Sequence, residues 1–74
     1  MPHRVDTVLG KRIKNMRHHL QMSQTELANQ IGVSFQQVQK YEVGTNRVSA
    51  SRLVRIATAL GMTASDLMRG MEDV

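Results

Sequence analysis

The stretch Ser34-Phe35-Gln36-Gln37-Val38-Gln39-Lys40 gathers hydrogen-bonding side chains into the part of this chain best suited to meeting a partner. It carries carboxamides and an ammonium group, and no acid interrupts it before Glu42. A glutamine amide presents a donor beside an acceptor and pairs bidentately with adenine. A lysine donates to guanine or to a phosphate oxygen, and a phenyl ring packs on a thymine methyl group. These residue types predict contacts to base edges from Phe35, Gln36, Gln37 and Lys40, with Gln39 donating to phosphate.

Other chemistry finds little support. The chain has no cysteine, which excludes disulfides and cysteine-based zinc sites and fits a reducing cytoplasm. His3, His18 and His19 are its imidazoles. Neighbouring helical residues point about 100° apart, so His18 and His19 cannot hold one metal ion from one face, and solvated rings are expected. There is no glycine-rich phosphate loop, nucleophile elbow or carboxylate pair on a cleft-forming scaffold. The sequence predicts no enzyme, no metal and no cofactor.

Positioning the polar stretch falls to short helices. Ser23 with Glu26, and Ser34 with Gln37, have capping-box spacing and mark two helix starts. Leu27, Ala28 and Ile31 form an apolar face on the first of these helices; Val38 and Tyr41 do so on the second. Gly32 between them suits the left-handed residue that ends a helix, so the turn is short and the helices cross steeply. Two helices so joined are the arrangement that sets one of them, about 34–42, in the major groove of DNA.

An amphipathic helix should precede them, starting at Asp6 or Thr7 and running to about Gln21, with Leu9, Ile13, Met16 and Leu20 facing the core. Arg17 lies at the edge of that stripe and has Glu42 as its natural partner, an ion pair that ties the first helix to the end of the third. After Gly44, the loop Thr45-Asn46-Arg47-Val48 offers phosphate donors in Asn46 and Arg47. Ser49 should cap a fourth helix bearing Leu53, Ile56, Ala57 and Leu60, stopped by Gly61. Thr63 or Ser65 should cap a short fifth helix with Leu67, Met68 and Met71, which either form a dimer patch or cover the core. Strand signals are missing. The expectation is an all-α single domain over residues 1–74, ordered from about 6 to 70, with residues 1–5 and 71–74 as tails and Arg4 able to touch a phosphate.

Ten Lys and Arg against six Asp and Glu give a net charge of +4. Through Leu20 there are five bases, Arg4, Lys11, Arg12, Lys14 and Arg17, against Asp6, while acids gather after Gly61, so one half suits a polyanion. Neither a signal peptide nor a run long and apolar enough for a membrane span is evident.

The ordered set Leu9-Gly10-Lys11-Arg12-Ile13, Met16-Arg17, Ser23-Gln24-Thr25-Glu26-Leu27-Ala28, Tyr41-Glu42-Val43-Gly44, Leu53-Val54-Arg55-Ile56-Ala57 and Leu60-Gly61 resembles the phage-repressor-like, XRE-type helix-turn-helix proteins. The stretch Phe35 to Glu42, followed by Asn46 to Leu53, resembles a bacterial regulator subgroup. The resemblance implies a compact five-helix, lambda-repressor-like domain that binds DNA as a dimer through its third helix. It also implies a phosphate or outer-base contact from Gln24, a phosphate contact from Ser34, groove-facing Phe35, Gln36 and Lys40, and a structural Arg17–Glu42 pair. Val43 and Phe35 depart from the family pattern, the first removing a usual phosphate contact and the second replacing a usual polar residue.

The function this reading favours is a transcriptional regulator, in the sense of a repressor, on an inverted-repeat operator. An alternative is an antitoxin-type module that masks a second protein and also binds DNA. A weaker third is an RNA-binding or small-molecule-sensing domain, for which the sequence offers no stacking platform.

Overall fold

The computed structural model describes residues 3–74. It contains helices α1 (Arg4–His19), α2 (Gln24–Ile31), α3 (Phe35–Val43), α4 (Ala50–Ala59) and α5 (Ala64–Leu67), then a 3-10 turn at Met71–Asp73, and no strand among the described residues. Serine and threonine hydroxyls set most of the starts. Ser23, Ser34, Ser49 and Thr63 each accept from the backbone N–H three residues on, satisfying a donor that the first helical turn leaves free. Ser23/Glu26 is a complete capping box and so is Thr63/Asp66, which makes Thr63 rather than Ser65 the α5 cap. The Ser34/Gln37 box is only half made: Ser34 Oγ accepts from Gln37 N, and Gln37 does not reach back.

The ends of α1 differ from the sequence expectation. It starts at Arg4, ahead of Asp6 and Thr7, because the ring of His3 caps it: Nδ1 accepts from Val5 N at 3.2 Å. Arg4 and Val5 therefore belong to its first turn and not to a tail; Met1 and Pro2 of the expected tail lie outside the described residues. At the other end α1 stops at His19, and Leu20, expected on the buried stripe, is 44% exposed at the C-cap. Gln21 then takes a positive φ of 56° to turn the chain into α2.

Leu9, Ile13, Leu27, Ala28, Ile31, Val38, Tyr41, Ile56, Ala57, Leu60, Leu67 and Met71 form one core. Burying them is the main favourable term for so small a domain. Leu67 and Met71 are 1% and 8% exposed. Of the two readings open for Leu67, Met68 and Met71, the fold takes the second: Leu67 and Met71 close the core from below, Met68 is half-buried against the same cluster, and Met71 does not sit in a loose tail.

Two glycines shape how α3 is carried. Gly32 ends α2 in the left-handed region, φ 75°, where a side chain is strained, and lets the chain reverse at once into the Ser34 cap. Gly10 does something the spacing alone did not disclose. Mid-helix glycine weakens a helix by about 1 kcal/mol relative to alanine, yet any Cβ here would lie under 3.0 Å from the carbonyls of Tyr41 and Glu42. The bare Cα is what lets the last turn of α3 lie directly on α1.

Candidate nucleic-acid interface

One side of α3 is consumed by the protein. Val38, Tyr41 and Glu42 are buried, and the Glu42 carboxylate accepts Arg17 Nε at 2.7 Å, Arg17 Nη2 at 3.0 Å and Gln24 Nε2 at 3.0 Å. Arg17 Nη1 also donates to Met22 O at 2.9 Å. This bidentate pair joins the last turns of α1 and α3 to the first residue of α2. Among the described residues no buried side-chain polar atom lacks a partner. The geometry holds α3 at a fixed tilt to the two helices beneath it.

The other side is open. With about 100° between successive residues, Phe35, Gln36, Gln39, Lys40 and Val43 share one exposed arc, Phe35 at 43% and Val43 at 61%. Gln39 sits near the middle of that arc. Gln37 lies at its edge and is half-buried. Carboxamides and an ammonium flanked by two apolar groups can hydrogen-bond base edges and touch a methyl group without meeting a carboxylate, because the helix's acid is turned inward.

The other sequence-selected residues surround this arc in different states. Ser34, exposed at the α3 N-cap, keeps a hydroxyl proton to donate. Gln24 is half-buried and drawn onto Glu42, a structural contact that sequence did not disclose. Asn46 is half-buried, its backbone N donating to Lys40 O at 3.4 Å. Arg47 is exposed and paired with Asp6 at 3.2 Å. His18 and His19 are exposed at the end of α1.

The basic half reads differently once folded. Arg17 is neutralised by Glu42, and Arg12, whose charge no carboxylate among the described residues pairs, has its Nη1 drawn onto Leu67 O at 3.1 Å and Arg69 O. Arg52 Nη1 likewise donates to Ile31 O at 2.6 Å, closing the C-terminus of α2. Arginine forks suit helix-end carbonyls as well as phosphates, and composition cannot distinguish the two uses. Arg4, Lys11, Lys14, Lys40, Arg47, Arg55 and Arg69 remain exposed.

A helix-turn-helix family model, HTH_3, matches residues 13–67, which takes in the buried pair, the Gly32 turn and the open arc. The chain belongs to the helix-turn-helix family. Among similar proteins is the "uncharacterized transcriptional regulator in ATPase CF(0) region" of Rhodospirillum rubrum, 53% identical over 72 residues, covering 92% of this chain and 67% of that protein. Other curated relatives are longer, and this helix-turn-helix chain spans about half their length. Among solved structures, the clp gene regulator ClgR of Corynebacterium glutamicum superposes with a TM-score of 0.86 at 25% identity, over 92% of this chain and 72% of that one. The DNA-binding domain of the P22 c2 repressor gives 0.80 at 26% identity, over 84% of this chain and 82% of that one. Lambda- and P22-repressor-like architecture thus describes this helix-turn-helix domain. No helix among the described residues is long and apolar enough to cross a membrane.

Proposed function

We propose that the chain acts as a sequence-specific, non-catalytic transcriptional regulator in the cytoplasm, inserting α3 into the major groove of an inverted-repeat operator as a homodimer and repressing by occupying it. The observation that carries this is the divided α3: an open arc of Phe35, Gln36, Gln39 and Lys40 backed by a buried Arg17–Glu42 pair. Relatives named as transcriptional regulators and a repressor domain of like fold support it.

Within this reading Phe35, Gln36 and Lys40 contact bases. Gln39, central on the arc, joins them, and Gln37 at the edge takes a flanking contact, an exchange of the roles that chain order alone suggests. Ser34 and the α3 N-terminus meet a phosphate, where the helix dipole favours an anion. Gln24 donates one amide N–H to Glu42 and offers the other to a phosphate. Asn46 and Arg47 hold the strand that follows. The described residues carry one α3 reading surface and two half-sites lie roughly 34 Å apart on one face of B-DNA, so reading both takes two copies.

Selection of bound sites from random duplexes tests the proposal. A palindromic consensus with half-site centres about one helical turn apart is the expected result. Enrichment of nothing, or of single-stranded RNA over duplex DNA at equal salt, overturns it.

A further inference from the structure

The arginines of this chain divide by which edge of the guanidinium the protein uses. Arg12 and Arg52 place Nη groups on helix-end carbonyls, and Arg17 places Nε and Nη2 on a buried carboxylate. Arg47 is held otherwise. Asp6 Oδ2 accepts its Nε–H at 3.2 Å, and among the described residues no protein oxygen takes either Nη. The two side chains are unequally exposed, 72% for Arg47 and 12% for Asp6. A planar fork gripped at Nε has its orientation set while its outer edge stays free for a bidentate acceptor.

The grip is itself anchored. Asp6 lies in the first turn of α1, and that turn lies against the end of α3: a Cβ on Gly44 would sit 2.9 Å from Thr7 Cα. The carboxylate therefore moves with the frame that carries α3, while Arg47 belongs to the more exposed loop between Gly44 and Ser49.

We infer that Asp6 is a positioning residue for duplex binding, fixing Arg47 through Nε so that its outer edge meets a backbone phosphate beside the groove that α3 enters. This rests on the proposed duplex-reading role of α3. It carries a sign that plain electrostatics does not. Removing an acid from a protein that binds a polyanion ordinarily tightens binding. Here removal of Asp6 loosens it, because Arg47 must then be ordered at the moment of contact.

The test is equilibrium binding to a fixed duplex of arbitrary sequence across a salt series, for the wild type, Asp6→Ala, Arg47→Ala, the double variant and Arg47→Lys, with melting curves alongside. The expected results are an affinity loss of about threefold to tenfold for Asp6→Ala and no further loss when it is added to Arg47→Ala. Arg47→Lys keeps the charge but has no Nε, and should lose affinity as Asp6→Ala does; it carries the test if Asp6→Ala does not fold. Tighter binding by Asp6→Ala at every salt concentration would make Asp6 a competitor of phosphate. An equal loss with and without Arg47 would mean that Asp6 acts through the α1 fold. Either overturns the inference and leaves the reading of α3 standing, whereas a wild type with no salt-dependent duplex binding overturns both.

Discussion

The two sides of α3 treat similar polar groups in opposite ways. Inward, the Glu42 carboxylate is surrounded by three donors from α1 and the start of α2. Outward, Gln36, Gln39 and Lys40 stand in solvent. A fully partnered buried network contributes orientation more than net stability, because desolvation offsets much of the Coulomb attraction. An exposed amide contributes almost nothing to folding and keeps its hydrogen bonds for a ligand. The inner side thus determines where the helix points, and the outer side what it can read.

Breaking the inner side gives the largest expected effect. Glu42→Ala leaves Arg17 buried without its carboxylate and should reduce stability by about 3–5 kcal/mol in urea unfolding, a large part of what a domain of this size has. A loss under about 1 kcal/mol would mean that water reaches Arg17 and that the pair is not an interior one. The double change Arg17→Met with Glu42→Leu sharpens the point: stability near wild type combined with weakened duplex binding would separate orientation from folding.

Gly10→Ala comes next. The added methyl must displace the Tyr41 and Glu42 carbonyls, and the gain in helix propensity offsets only about 1 kcal/mol. We expect a net loss of about 1–3 kcal/mol, read from denaturant midpoints, and weaker duplex binding because α3 is pushed outward. An unchanged midpoint would show that α1 and α3 separate freely.

These two sites also show what was legible beforehand. Helical period and capping pairs disclosed all five helices, the Gly32 turn and the Arg17–Glu42 pair, because each leaves a local or spacing signature. Gly10 leaves none. A glycine in a helical pattern reads as a minor weakness until the partner carbonyls are seen above it. The inward use of Arg12 and Arg52 was equally hidden, since an arginine bound to a helix-end carbonyl has the same composition as one waiting for phosphate. His3 escaped as the α1 cap because an imidazole is an uncommon one, and Met71 looked like tail because a short 3-10 turn carries no periodicity.

On the outer side the expected effects fall on binding. Gln39→Ala should leave stability within about 0.5 kcal/mol and weaken the selected site by about 1–3 kcal/mol, relaxing preference at one base pair. Gln37→Ala, at the edge of the arc, should weaken it less. Gel-shift titrations on selected and scrambled duplexes compare them. If Gln37 proved the stronger, the arc would be rotated relative to the groove, and the half-made Ser34 cap would be the place to look for the cause.

The smallest effect comes from a polar device on the surface that the protein keeps for itself. Asp66 closes the α5 capping box with Thr63, whose side-chain and backbone hydrogen bonds hold its carboxyl below the ordinary aspartate value of 3.8, with Arg69 lowering it further and desolvation opposing. A carboxyl depressed in the folded state contributes stability that is present above its unfolded value and lost as the pH falls through the folded one. Acid should therefore loosen α5, and with it the cover that Leu67 and Met71 place on the core, before α2 and α3 respond. Amide exchange of α5 followed downward from pH 5 should show earlier opening in the wild type than in Asp66→Asn, whose cap does not titrate. Coincident opening of α5 and α3 in both proteins would mean instead that the domain unfolds as one unit and that the exposed box has no separate influence.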